Sequence, residues 1–135
     1  MLKRVGSSND LGSDPSEFAI IDVDVDETTS VVQVKGELDL TTAPRLKWML
    51  HDLLEAGRTR QVVDLNETTF MDSTALGVLV AVNRSLGEGM RLVIVCARSN
   101  VLKIFELSGM DGVFTIVPTL DEALQYARGR AAKAS

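Results

Sequence analysis

The residues best placed to do chemistry lie where an apolar strand gives way to a helix. In Asp64-Leu65-Asn66-Glu67-Thr68-Thr69-Phe70-Met71-Asp72-Ser73-Thr74-Ala75-Leu76-Gly77, an apolar run passes into a polar turn, and the turn delivers Asp72, Ser73 and Thr74 to a helix start. At such a start the first backbone N–H groups have no partner within the helix and the helix dipole is positive. A phosphate on a hydroxyl there is compatible with the local backbone. A surface docked over the same spot is far less tolerant of the added charge and bulk. These residue types in this order suggest a switch more than a catalyst, with Ser73 and Thr74 as the two candidate hydroxyls. Serine is also a favoured N-cap, and Asp72 is equally able to cap, which would leave the Ser73 hydroxyl free.

Other chemistries find less support. A serine hydrolase needs a base beside Ser73 and a Gly-x-Ser-x-Gly elbow; the chain lacks the elbow, and its one histidine, His51, is expected on the solvated flank of the first helix. One Cys and one His without ligand spacing give no metal site. Gly87-Glu88-Gly89 is followed by no Lys-Ser or Lys-Thr, so there is no phosphate loop, and no cofactor is expected. Cys96 closes an apolar strand and is expected to be a small core residue.

Composition sets the outer bounds. The 135 residues suit one domain with short tails, and the apolar fraction of 45% with only 4% aromatics predicts an aliphatic core. A net charge of −5 argues against nucleic-acid binding. No apolar run approaches the ~20 residues of a membrane span. Lys3 and Arg4 are not followed by the apolar stretch of a secretory signal. A single cysteine fits a reducing cytoplasm.

Elements that would position the switch follow from periodicity. Residues 1–16, rich in Gly, Ser, Asp and Asn, are expected to form a flexible N-terminal tail, and 129–135 a flexible C-terminal end, around a domain spanning 17–128. Runs at 18–25 and 30–36, separated by a polar turn, predict a β-hairpin. A loop at 37–40 precedes a helix over 43–56, capped by Thr41 or Thr42, with Pro44 in its first turn and Gly57 at its end. Strands are expected at 61–65, 91–96 and 113–117, and helices from Ser73 to about Gly87, from a Ser99 or Asn100 cap to Ser108-Gly109, and after a Thr119/Glu122 capping box. The order β-β-α-β-α-β-α-β-α predicts an α/β fold: one mixed, mostly parallel sheet packed with about four α-helices.

On the helix that starts at Ser73, Ala75, Leu76, Val78, Leu79, Val82 and Leu86 form a wide apolar stripe for the sheet. Ser73, Gly77, Val80, Ala81 and Arg84 share the opposite side, which is small and apolar below the serine. Small residues allow close approach, so this side is a candidate docking face. Trp48 falls opposite Leu46, Met49, Leu50 and Leu53 on the first helix; an interface anchor and a ring covered by a neighbour are both open.

The segment Phe70-Met71-Asp72-Ser73-Thr74-Ala75-Leu76-Gly77-Val78 resembles the signature of anti-sigma factor antagonists, bacterial members of the STAS domain family. The resemblance extends to Gly36-Glu37-Leu38-Asp39, to Val62-Val63-Asp64-Leu65 and to Phe105-Glu106-Leu107-Ser108-Gly109-Met110, covering roughly residues 18 to 127. It implies a non-enzymatic cytoplasmic protein whose unphosphorylated form binds an anti-sigma factor, commonly a serine kinase, and so releases a sigma factor for transcription. It implies further that phosphorylation of Ser73 breaks the complex, that a serine phosphatase restores it, and that Asp39 and Asp72 lie on the binding surface. A STAS component of another signalling assembly, controlled by a different kinase or a small ligand, is the alternative. The partners' identity, homodimerisation and the role of the tail are left open.

Overall fold

The computed structural model describes residues 17–128. The expected tails at 1–16 and 129–135 lie outside the described residues. Five strands form one sheet in the order β1-β2-β3-β4-β5: β1 Ala19–Asp24, β2 Thr29–Leu38, β3 Arg60–Met71, β4 Arg91–Val95 and β5 Thr115–Val117. β1 and β2 are an antiparallel hairpin, whereas β2 to β5 run parallel. The helices are α1 Ala43–Glu55, α2 Ser73–Ser85, α3 Ser99–Leu107 and α4 Leu120–Ala127. The mixed sheet with four helices is the architecture expected from the alternation of strand and helix patterns.

The period-2 pattern of the strands decides which helix goes where. Register sets Val32, Val63 and Ile94 side by side in one row, and Val31, Val62 and Val93 in the next. The first row belongs to the main core, with Leu46 and Leu50 of α1, Leu79 and Val82 of α2 and Val101 and Phe105 of α3. The second row packs under α4 through Ala123 and Ala127. Three successive parallel crossovers in one direction place α1, α2 and α3 on the same face, as crossovers of a single hand require. Phe105 and Phe114 meet edge to face, 5.6 Å between centroids, in an otherwise aliphatic interior.

Several element boundaries differ from expectation. β3 does not end at Leu65: residues 66–69, read as a polar turn, continue the strand to Met71. They do so because β2 also runs on past Gly36 to Leu38 and pairs with them in parallel. α2 ends at Ser85, where Leu86 turns to an extended conformation. Neither Ser99 nor Asn100 caps α3; its N-cap is Arg98, and the Asn100 side chain reaches across to β3 instead. A 3-10 turn, Met110–Gly112, occupies the approach to β5, so that strand is shorter than expected. The Thr119 hydroxyl accepts from the Glu122 N–H at 3.3 Å, as the cap of α4 requires.

Candidate functional site

The Ser73 turn stands at the C-terminal end of the central parallel strands. Asp72 takes an extended conformation and its carboxylate accepts from the Ala75 N–H at 3.0 Å, so Asp72 is the N-cap of α2. The alternative left open by the sequence is thereby resolved: the aspartate does the capping, and the exposed Ser73 hydroxyl is not consumed by it. Thr74, the next residue, is also exposed. The helix start thus presents two hydroxyls to solvent beside N–H groups of the first turn.

A second loop is tied to this turn. The Asp72 N–H donates to the Leu38 carbonyl at 3.2 Å, which binds the end of β3 to the end of β2, one residue before Asp39. The Asp39 carboxylate accepts from the Thr41 N–H at 3.0 Å, the Thr41 hydroxyl at 2.9 Å and the Thr42 N–H at 3.2 Å. These donors, the Thr41 hydroxyl first, hold the Asp39 carboxyl below its ordinary pKa. Thr42 stands at the N-cap position of α1 but makes no side-chain capping bond there. Its hydroxyl is engaged in the loop instead, donating to the Glu37 carbonyl and accepting from the Asp39 N–H, both at 2.8 Å. Asp39 is therefore the pin of a rigid loop beside the Ser73 turn.

Below the serine, Gly77, Ala81 and Arg84 are exposed, as the helical spacing predicts. Val80 is not: it is half-buried and packs on the main core. α2 lies between α1 and α3, so a wider arc of it is covered than the strand-facing stripe alone. A Cβ built at Gly77 meets nothing within 4 Å, so the glycine answers no packing need of the described fold. Two exposed apolar residues, Leu40 after β2 and Phe70 near the end of β3, stand on the two chain segments that the Asp72–Leu38 bond joins. Neither was singled out from sequence; Phe70 is the odd apolar residue of an alternating strand end whose neighbour Met71 points into the core.

The remaining singled-out residues fall elsewhere. Trp48 is 62% exposed on α1, opposite buried Leu46 and Leu50. His51 is half-buried rather than solvated, because its ring lies 6.5 Å from that of Trp48, one turn away. Cys96 is buried, and desolvation raises its thiol pKa, which makes it a core residue rather than a nucleophile. Among the described residues no cluster of three His, Cys, Asp or Glu side chains could hold a metal ion, and no helix is long and apolar enough to cross a membrane.

This geometry belongs to a recognisable class. The STAS domain family matches residues 21–123, and the chain belongs to that family. Among its relatives, the anti-sigma-F factor antagonist RsfB of Mycobacterium tuberculosis is 30% identical over 100 residues, covering 74% of this chain and 82% of the relative. An anti-sigma-B factor antagonist of Staphylococcus aureus is 32% identical over 80 residues, 58% of this chain and 74% of that protein. The crystal structure of an anti-sigma factor antagonist from Mycobacterium paratuberculosis superimposes with a TM-score of 0.78 at 31% identity, covering 86% of this chain and 98% of that one.

Proposed function

We propose that this protein is an anti-sigma factor antagonist switched by phosphorylation at Ser73. In its unphosphorylated form it binds an anti-sigma factor that is also a serine kinase; phosphate on Ser73 breaks that complex, and a serine phosphatase restores it. The observation that carries this reading is the division of labour at the head of α2, where Asp72 caps and the Ser73 hydroxyl stays exposed. The names of the relatives support the general role.

The direction of the switch follows from electrostatics. A phosphoserine adds about −1.5 to −2 charges near neutral pH. At residue 73 that charge sits on the positive end of α2, so the fold accommodates it. The cost falls on the docked partner, which meets new charge beside Asp72 on an already acidic domain. Asp39, Thr74, Gly77, Ala81 and Arg84 form the rest of the proposed contact surface. Gly77 and Ala81 let a partner approach the helix backbone closely, and Arg84 gives the far end of the face a polar contact.

The test is incubation with ATP and candidate anti-sigma kinases of the host, followed by phosphopeptide mass spectrometry and a binding assay. Phosphate on Ser73 with loss of kinase binding is the expected result. Ser73→Ala is expected to bind and Ser73→Asp to lose at least about tenfold in affinity, or ~1.4 kcal/mol. Equal affinity of the two variants would overturn the reading.

A further inference from the structure

The upper half of β3 is held in an unusual way. The β2–β3 ladder shifts register twice: Gln33 pairs with Asp64 but Lys35 with Glu67, and Gly36 pairs with Thr68 but Glu37 with Phe70. Each shift inserts one extra residue into β3, so β2 skips one position in the 65–66 pair and skips Thr69 altogether. Gly36 takes a φ of 95° at the second shift, a conformation that suits glycine at a bulge. Bulges leave backbone groups without ladder partners, and those groups must be satisfied some other way.

The missing partners come from side chains. On the β2 side the buried Thr68 hydroxyl donates to the Val34 carbonyl at 2.9 Å, filling the gap in the ladder at the first bulge. On the other side β4 pairs with β3 only as far as Asp64. Beyond it the segment 97–100 takes over. The Ala97 N–H donates to the Asn66 side-chain oxygen at 2.7 Å, and the Arg98 Nε to the Asn66 carbonyl at 3.0 Å. The Asn100 amide donates to the Thr69 carbonyl at 2.8 Å. The Asn66 amide group in turn donates to the Pro118 carbonyl at 3.1 Å, past the end of β5. Thr69, and one residue of the pair that β2 skips, are thus gripped from the opposite edge.

We infer that Asn66, Thr68, Arg98 and Asn100 form a register lock that sets the position of the Ser73 turn. A one-residue slip in a strand exchanges its two faces. Without the lock, the bulges can migrate along β3, and Met71 loses the orientation that buries it and places Asp72 at the cap of α2. These four are positioning residues: they hold Ser73 in place for a partner. The inference rests on the reading of Ser73 as the acceptor for its functional meaning.

Asn100→Asp tests it on the intact chain. Aspartate keeps the size and favours the first turn of α3, yet when ionised it has no N–H to give to Thr69. A residue that merely stabilised α3 would tolerate or welcome the change. Amide hydrogen exchange, resolved by residue, is the readout, with Thr119→Ala as a control that removes a comparable exposed bond from α4. Exchange at 70–75 is expected to rise at least about threefold in Asn100→Asp, the scale of one lost hydrogen bond. Exchange in β4 of Asn100→Asp, and at 70–75 in Thr119→Ala, is expected to be unchanged. Unaltered exchange at 70–75, or a rise spread evenly over α3 and β4, would overturn the lock. Absence of phosphate on Ser73 with kinase would instead strike the functional reading and leave the exchange result to stand by itself.

Discussion

Gly77 weakens its helix, and nothing among the described residues requires it. A glycine within a helix costs about 1 kcal/mol relative to alanine, and a Cβ at residue 77 would meet no atom within 4 Å. Gly77→Ala is therefore expected to stabilise the protein by about 0.5–1 kcal/mol in urea unfolding. Gly77→Arg is expected to leave stability near that of the parent but to block the proposed partner, measured by binding of the cognate anti-sigma factor. Full binding by Gly77→Arg would remove this face from the interface. Asp72 works in the opposite sense, since Asp72→Ala loses the cap of α2 and is expected to cost ~1 kcal/mol. Asp39 adds a pH dependence. Its folded-state pKa is held below the ordinary 3.8 by bonds from Thr41 and Thr42. The loop's stabilisation is thus complete above 3.8 and is lost as the pH falls through the lower folded value. Carboxyl NMR titration is expected to place the Asp39 midpoint below that of an exposed aspartate, and Thr41→Ala to move it upward.

At the scale of elements, the sequence was legible wherever one face meets one core. Alternation at 18–25 and 30–36 marked the hairpin, and the apolar run at 91–96 marked a strand covered on both faces, as β4 is. The stripe of α2 was read correctly at Ala75, Leu76, Leu79 and Val82, all buried. The segment 66–69 departs from its polar-turn pattern because the Asn66 and Thr68 side chains bond the backbone of other segments, a role that periodicity does not register. Asn100 stands beside Ser99 as a candidate cap in the sequence for the same reason: periodicity shows only local partners, and the acceptor of its side-chain amide is 31 residues away. Val80 departed from the helical wheel because neighbouring helices cover the flanks of α2. The exposed Ser73 and its small outward face were legible, whereas Leu40 and Phe70 needed the Asp72–Leu38 bond that joins their segments. The face assignment has a measurable consequence. Leu79→Ala, at a fully buried site, is expected to cost about 2–5 kcal/mol in thermal or urea unfolding, and half-buried Val80→Ala distinctly less. Equal losses would mean that α2 is rotated from the orientation described.

Over the whole molecule, the two faces of the sheet are unequally secured. The main core draws on three helices, whereas among the described residues α4 is the one helix on the second face, eight residues whose fully buried contacts are Ala123 and Ala127. A helix of that length has little stability of its own, since nucleation is costly and isolated helices under ~12 residues are marginal. The tie between Arg128, just past α4, and Asp26 in the hairpin turn spans 3.5 Å with both side chains well exposed, and such solvent-screened pairs add little to stability. α4 is therefore the element expected to open first, uncovering Val31, Val62, Val93, Val95 and Val117 while α2 and the Ser73 turn stay packed on the other face. Native-state hydrogen exchange as a function of denaturant is expected to separate α4 amides, which exchange through a small opening, from those of Val62 and Val63, which exchange only on global unfolding. Ala123→Gly, which weakens α4 by ~1 kcal/mol or more, is expected to lower α4 protection further without changing exchange at 70–75. If α4 and β3 instead lose protection together, the two faces form one cooperative unit. Events on the α4 face would then be felt at Ser73.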